Sequence, residues 1–196
     1  MSHHVKEQNT SLAGAVAEGT GVKAERCYQC GKCSAGCPLV AEMDFTPSMV
    51  MRILQAENNR TDKELLSSQT IWLCLSCEMC IGRCPMEVDI PKVMDFLRQR
   101  SLARGRANKK AARNIIPFHK AFLDVIKRTG RLYEIGLIGD YKLRSGKLFQ
   151  DLTLAPKMFI KGKLPLLPEW VKKPKEIKKI FKKSFNNPTA DPHLYS

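Results

Sequence analysis

The chain has 196 residues, 43% of them hydrophobic and 27% charged, which excludes wholesale disorder and fits one domain with an extension or two small ones. No run approaches the roughly 18 consecutive apolar residues of a membrane-spanning helix, and the polar start MSHHVKEQNT lacks the basic-then-apolar pattern of a secretory signal, so a cytoplasmic location is expected. The net charge of +14 is uneven: residues 1–90 carry 8 basic and 11 acidic side chains, a net of −3, whereas residues 91–196 carry 25 and 8, a net of +17.

Residues 1–20 read as an N-terminal extension. A first cysteine run follows, Cys27, Cys30, Cys33 and Cys37, with the spacing C-x2-C-x2-C-x3-C and then Pro38. Residues 38–73 read as helical. Thr46 is an N-cap with Pro47 at the first helical position. Met49, Val50, Ile53 and Leu54 recur at helical spacing, and Asn58-Asn59 ends the run. Asp62 is expected to cap a second short helix carrying Leu65 and Leu66 towards Trp72. The second run, Cys74, Cys77, Cys80 and Cys84, repeats the spacing and is followed by Pro85; all eight cysteines of the chain fall within the two runs. No alternating strand pattern lies between them, so the predicted fold class is all-α.

Asp89 and Pro91 open another helix, with Val93, Met94, Phe96 and Leu97 on or near one face. Arg98 to Arg113 is densely basic and sparsely apolar. Residues 117–129 predict an amphipathic helix (Phe118, Phe122, Val125, Ile126) closed by Gly130. A further helix is expected over 132–143. Residues 145–175, including LPLLPEW, read as an extended segment lying on a partner. The last predicted helix, 175–185, sets Ile177, Ile180, Phe181 and Phe185 against lysines, and the tail NNPTADPHLYS is expected to be irregular.

The cysteines carry the chemistry. Disulfides are one reading, but cysteines three apart are poor candidates for several simultaneous bridges and no export signal precedes them. Zinc is another, but it favours two separated pairs over a triplet with a fourth cysteine before proline. The spacing matches the bacterial ferredoxin run, in which a cuboidal [4Fe–4S] cluster takes three thiolates from one turn and the fourth cysteine ligates the other cluster. That match implies two [4Fe–4S] clusters, one on Cys27, Cys30, Cys33 and Cys84 and the other on Cys37, Cys74, Cys77 and Cys80. Gly31, Gly36 and Gly82 are expected to let the backbone approach the sulfides. Arg26, Lys32 and Arg83 either stabilise the reduced clusters or are plain surface charges.

No catalytic residue is expected. The histidines stand outside any ligand cluster or nucleophile pair, the methionines read as core filler, and no phosphate loop or G-x-S-x-G is present. The hardware is that of single-electron transfer without substrate chemistry.

The pair CYQCGKCSAGCP and CLSCEMCIGRCP, with a helical insert between and MEVDIP after, resembles the helical ferredoxin domain. That domain occurs in the iron–sulfur subunits of succinate dehydrogenase and fumarate reductase, in the C-type subunit of anaerobic glycerol-3-phosphate dehydrogenase, and in heterodisulfide reductase. The cysteine-free stretches before Cys27 and after Cys84 are unlike the first two. The chain is most similar to the C-type subunit family of the cytosolic heterodisulfide reductases of methanogenic archaea.

This resemblance implies a non-catalytic electron-transfer subunit of an oxidoreductase of methanogenesis. It would relay electrons from a flavin-containing, bifurcating partner, itself an iron–sulfur protein, to a cysteine-rich catalytic partner that reduces the coenzyme M–coenzyme B heterodisulfide. A hydrogenase or formate dehydrogenase would be attached through the flavin-containing partner. The alternatives are the same role in a glycerol-3-phosphate dehydrogenase or fumarate reductase type of complex, or a basic iron–sulfur protein binding nucleic acid or an anionic membrane surface. The domain reading is an N-terminal extension 1–20, a helical two-cluster ferredoxin domain 21–105, and a basic helical and extended docking segment 106–196 for acidic partner proteins.

Overall fold

The computed structural model describes residues 11–146 and 167–185. The expectations for most of the 145–175 segment, for the tail and for His3, His4 and His193 lie outside these residues. Among the described residues all regular structure is helical. None of these helices is long and apolar enough to cross a membrane. The chain divides into two units, Met1–Asn108 and Lys109–Ser196.

Local signals start most helices of the first unit. Ser11 caps α1 (Leu12–Thr20) by accepting the Gly14 N–H at 3.2 Å, a helix the reading of residues 1–20 as a plain extension did not foresee. Thr46 caps α3 (Pro47–Ala56), with Pro47 in the first turn as expected, because its missing N–H would have had no partner there. The chain leaves α3 through Glu57, at φ 48°. Asn58, expected as a stop, is the cap of α4 (Asn59–Leu66), its side chain accepting the Arg60 N–H at 2.9 Å.

Asp62, expected as that cap, instead lies inside α4 and is buried, with the Leu12 backbone N–H beside its carboxylate. It therefore meets the first turn of α1, where a carboxylate offsets the helix dipole. Asp89 caps α7 (Ile90–Ala103), holding the Lys92 N–H at 3.0 Å. Three one-turn α-helices, α2 (Lys32–Ala35), α5 (Thr70–Leu73) and α6 (Met79–Gly82), and two 3-10 turns, Ala24–Arg26 and Val40–Glu42, complete the unit.

The core gathers one face from each longer helix. Leu12 and Val16 of α1, Val50, Met51 and Leu54 of α3, Leu65 and Leu66 of α4, and Val93, Met94 and Leu97 of α7 are all buried. Fully burying side chains of this kind contributes about 1.5–3 kcal/mol each. α7 is the hub, touching α1, α4, α5 and α6. Its Phe96 ring lies on Gly19, where a Cβ would meet ring carbon Cε2 at 2.4 Å. Ser101 Oγ donates to the Leu66 carbonyl at 2.6 Å, which satisfies a polar group in an apolar wall.

In the second unit, α8 (Lys109–Thr129) runs through Pro117. The expected start at 117 is thus too late: proline removes one intrahelical bond but the helix continues. Gly130, at φ 81°, closes α8 as expected, its N–H donating to the Ile126 carbonyl at 2.7 Å. α9 (Glu134–Ser145) packs on α8, with Arg144 joining Asp124 of α8 at 2.6 Å to Asp140 at 3.0 Å. α10 (Pro174–Phe185) also packs on α8, with Ile177 and Phe181 half-buried and its lysines exposed.

Candidate metal centre

The two cysteine runs share one backbone path. The residue before the second cysteine and the residue after it are both left-handed: Gln29 (φ 63°) and Gly31 (φ 75°) in the first run, Ser76 (φ 50°) and Glu78 (φ 61°) in the second. Such alternation curls the chain and turns backbone N–H groups towards one point, a concavity suited to an anion. Glycine adopts this conformation freely at 31; Glu78 holds it at a cost of about 1–2 kcal/mol. The third cysteines, Cys33 and Cys80, lie in α2 and α6. These two helices touch each other, which brings the runs together.

The eight side chains sort into two cavities. One, with about 350 Å³ of empty space, is lined by Cys27, Cys30, Cys33 and Cys84. The other, with about 430 Å³, is lined by Cys37, Cys74, Cys77 and Cys80. Ile90, buried at the start of α7, lines both. All eight cysteines are free thiols. Among the described residues no group of three or more His, Cys, Asp or Glu side chains is disposed to hold a single metal ion. Each cavity offers four thiols, three from one run and one from the other, which is the ligand set of a cuboidal cluster in two-cluster ferredoxins.

Each run is held from behind by one long side chain. Gln55 of α3 donates through Nε2 to the carbonyls of Ala24 (2.9 Å) and Cys27 (2.6 Å). Arg98 of α7 donates through Nε to the Ile71 carbonyl at 2.5 Å and through Nη2 to the Cys74 carbonyl, while Nη1 meets Asp95 at 2.7 Å. Asp44 fixes the approach to the second run, accepting the N–H groups of Gln69 and Thr70 (both 2.8 Å) and the Thr70 hydroxyl at 2.5 Å. None of these three residues is signalled in the sequence by a motif.

Burial pushes the Cys80 thiol up to about 11 and raises those of Cys33 and Cys74. Exposed Cys30 is lowered, chiefly by the Lys32 backbone N–H and further by the Tyr28 hydroxyl. The three glycines expected to admit sulfides differ in role. Gly31 supplies the left-handed turn, whereas at Gly36 a Cβ would strike Arg83 Cδ at 2.4 Å, so its bareness seats that side chain; at Gly82 a Cβ would meet no protein atom.

Residues 23–88 match the family described as 4Fe-4S dicluster domain. With eight cysteines in two cavities, the cofactors are two [4Fe–4S] clusters. The chain is similar to the C-type subunit of the H2:CoB-CoM heterodisulfide, ferredoxin reductase of Methanothermobacter marburgensis, 36% identical over 110 residues, which are 56% of this chain and 54% of the relative. It is 34% identical over 88 residues to the C-type subunit of the ferredoxin:CoB-CoM heterodisulfide reductase of Methanosarcina acetivorans, covering 45% and 34% of the two chains. It is 31% identical over 98 residues to a C-type iron-sulfur subunit of the CoB–CoM heterodisulfide reductase of Methanocaldococcus jannaschii, covering 48% and 50%. The chain thus spans about half the length, or less, of these curated relatives.

Proposed function

We propose that this chain is the electron-relay component of a heterodisulfide reductase complex. One cluster rests on Cys27, Cys30, Cys33 and Cys84, the other on Cys37, Cys74, Cys77 and Cys80. The observation that carries this reading is the sorting of the cysteines into two cavities, each with three from one run and the fourth from the other, across the shared wall of Ile90. Bound clusters supply reversible one-electron storage. The chain's own residues curl the runs, clamp them through Gln55 and Arg98, and keep Ile90 between the sites. No substrate site is assigned to this chain.

The partners in this reading are a flavoprotein that delivers electrons and a separate cysteine-rich protein that cleaves the coenzyme M–coenzyme B disulfide. The identity to heterodisulfide reductase components of three methanogens supports it. The basic residues of the second unit, with lysines along α10, supply the charge for docking to acidic partner surfaces, which raises association rates and fixes orientation.

Anaerobic purification from the native source tests the proposal. The chain is expected with about eight irons and eight sulfides, in company with a flavoprotein and disulfide-reducing activity. Zinc, four irons, or copurification with a glycerol-phosphate or fumarate oxidoreductase instead would refute it.

A further inference from the structure

The shared backbone path of the two runs makes their side chains comparable position by position, and the comparison is lopsided. Tyr28 follows the first cysteine of its run and Leu75 follows the first of the other; both line their own cavity. Tyr28 brings a hydroxyl to the cavity that Cys30 also lines, and leucine offers nothing equivalent. Ser34, a hydroxyl residue, follows the third cysteine of its run; Ile81 stands in its place in the second run. Ser34 is itself held, its Oγ accepting the Ser48 N–H at 2.9 Å and lying 2.7 Å from Ser48 Oγ. The backbone adds a donor at this site, the Val88 N–H to Cys84 Sγ at 3.4 Å.

The nearby charges lean the same way. Lys32 acts on Cys30, and its counterpart is Met79; the counterpart of Gly31 is Glu78. Arg98 lies near the second site, and its effect on Cys74 is opposed by Asp95, bound to it at 2.7 Å, while Arg83 packs on Gly36 between the two runs. A four-thiolate cluster becomes more negative on reduction. Hydrogen-bond donors and positive charge at its sulfurs therefore favour the reduced form and raise the potential.

We propose that the site of Cys27, Cys30, Cys33 and Cys84 is the higher-potential of the two, with Tyr28 and Ser34 as the tuning side chains. Electrons then arrive on the site of Cys37, Cys74, Cys77 and Cys80 and collect on the other. Each internal step moves one electron from the reduced to the oxidised cluster, with no bond or proton exchanged. The inference rests on the ligand reading under Proposed function.

The test is an EPR-monitored potentiometric titration of the full-length holoprotein, in wild type, Tyr28→Phe and Ser34→Ala, each checked for unchanged iron content. Cys30→Ser and Cys77→Ser identify which signal belongs to which site. Two resolved midpoints are expected, with Tyr28→Phe and Ser34→Ala each lowering the upper one and leaving the lower one in place. Coincident midpoints, an upper midpoint on the Cys77 signal, or variants that move neither signal or both alike overturn the inference. A wild type with four irons, or a Cys84→Ser variant that disturbs the Cys77 signal rather than the Cys30 signal, refutes the ligand reading itself, whatever the order of midpoints.

Discussion

Gln55 and Arg98 occupy equivalent places behind the two cysteine runs. Each reaches from a long helix to two carbonyls, that of the first cysteine and that of the residue three before it: Ala24 and Cys27 for Gln55, Ile71 and Cys74 for Arg98. The same pair of backbone carbonyls is gathered once by an amide and once by a guanidinium.

The two clamps differ in strength. Hydrogen bonds from a charged donor contribute about 1.5–3 kcal/mol, against about 1 for neutral ones. Arg98→Leu is expected to lower holoprotein stability by about 3 kcal/mol, and Gln55→Leu by about 2 kcal/mol. Anaerobic denaturant unfolding measures both, and chelators should strip iron from Arg98→Leu faster than from wild type. Equal stability of the three proteins would show that the clamps are decorative.

Cys84→Ser should disturb the cluster signal shared with Cys27, Cys30 and Cys33 and leave the other in place. The cavity lined by those four side chains motivates it. Mössbauer or EPR spectra of the variant decide the matter, since loss of the Cys74–Cys80 signal alone would contradict the exchange of ligands between runs.

Asp44 predicts a response to acid. Partial burial pushes its carboxyl up, but the Thr70 hydroxyl and the N–H groups of Gln69 and Thr70 outweigh this and hold it below its ordinary value of 3.8. A carboxylate with a depressed folded value stabilises the fold fully above its unfolded value and loses that contribution as pH falls through the folded one. Asp44→Asn should therefore unfold at a higher pH in an acid titration followed by circular dichroism, and its deficit relative to wild type should shrink below about pH 4. A deficit that stays constant through the acid range would rule out this role.

Gly130→Ala should loosen the second unit. Gly130 sits at φ 81°, and a Cβ there would meet Val171 Cγ2 at 2.2 Å. The left-handed backbone alone costs about 1–2 kcal/mol for alanine, and Val171 must also move. Faster proteolysis within residues 167–185 is the expected result; unchanged cleavage would show that this packing is unimportant.

What could be read from the sequence follows from how local each determinant is. The cysteine runs and the caps at Thr46 and Asp89 are legible because ligation and capping are decided within a few residues. The clamps are not, because Gln55 and Arg98 find their carbonyls 24 to 31 residues away, and only packing brings them there. Asp62 misleads because it has the chemistry of a cap, yet Asn58 takes that place and Asp62 turns to Leu12. At Pro117 the local rule suggests a start, but packing of α8 against α9 and α10 carries the helix through. The helix Leu12–Thr20 escapes notice because LAGAVAEGT has two glycines and only two large apolar residues, both turned into the core.

The division of thiols between the two cavities also bears on chain entropy. With ligands so shared, each cluster ties one run to the far end of the other, and together they close the chain between Cys37 and Cys74 twice over. By the relation for covalent cross-links, closing a loop of this length removes unfolded-state freedom worth about 4 kcal/mol. The one-turn helices α2, α5 and α6 are far too short to persist alone and depend on these pins. Oxidative loss of either cube releases a thiol from both runs at once, so bleaching and unfolding become a single event.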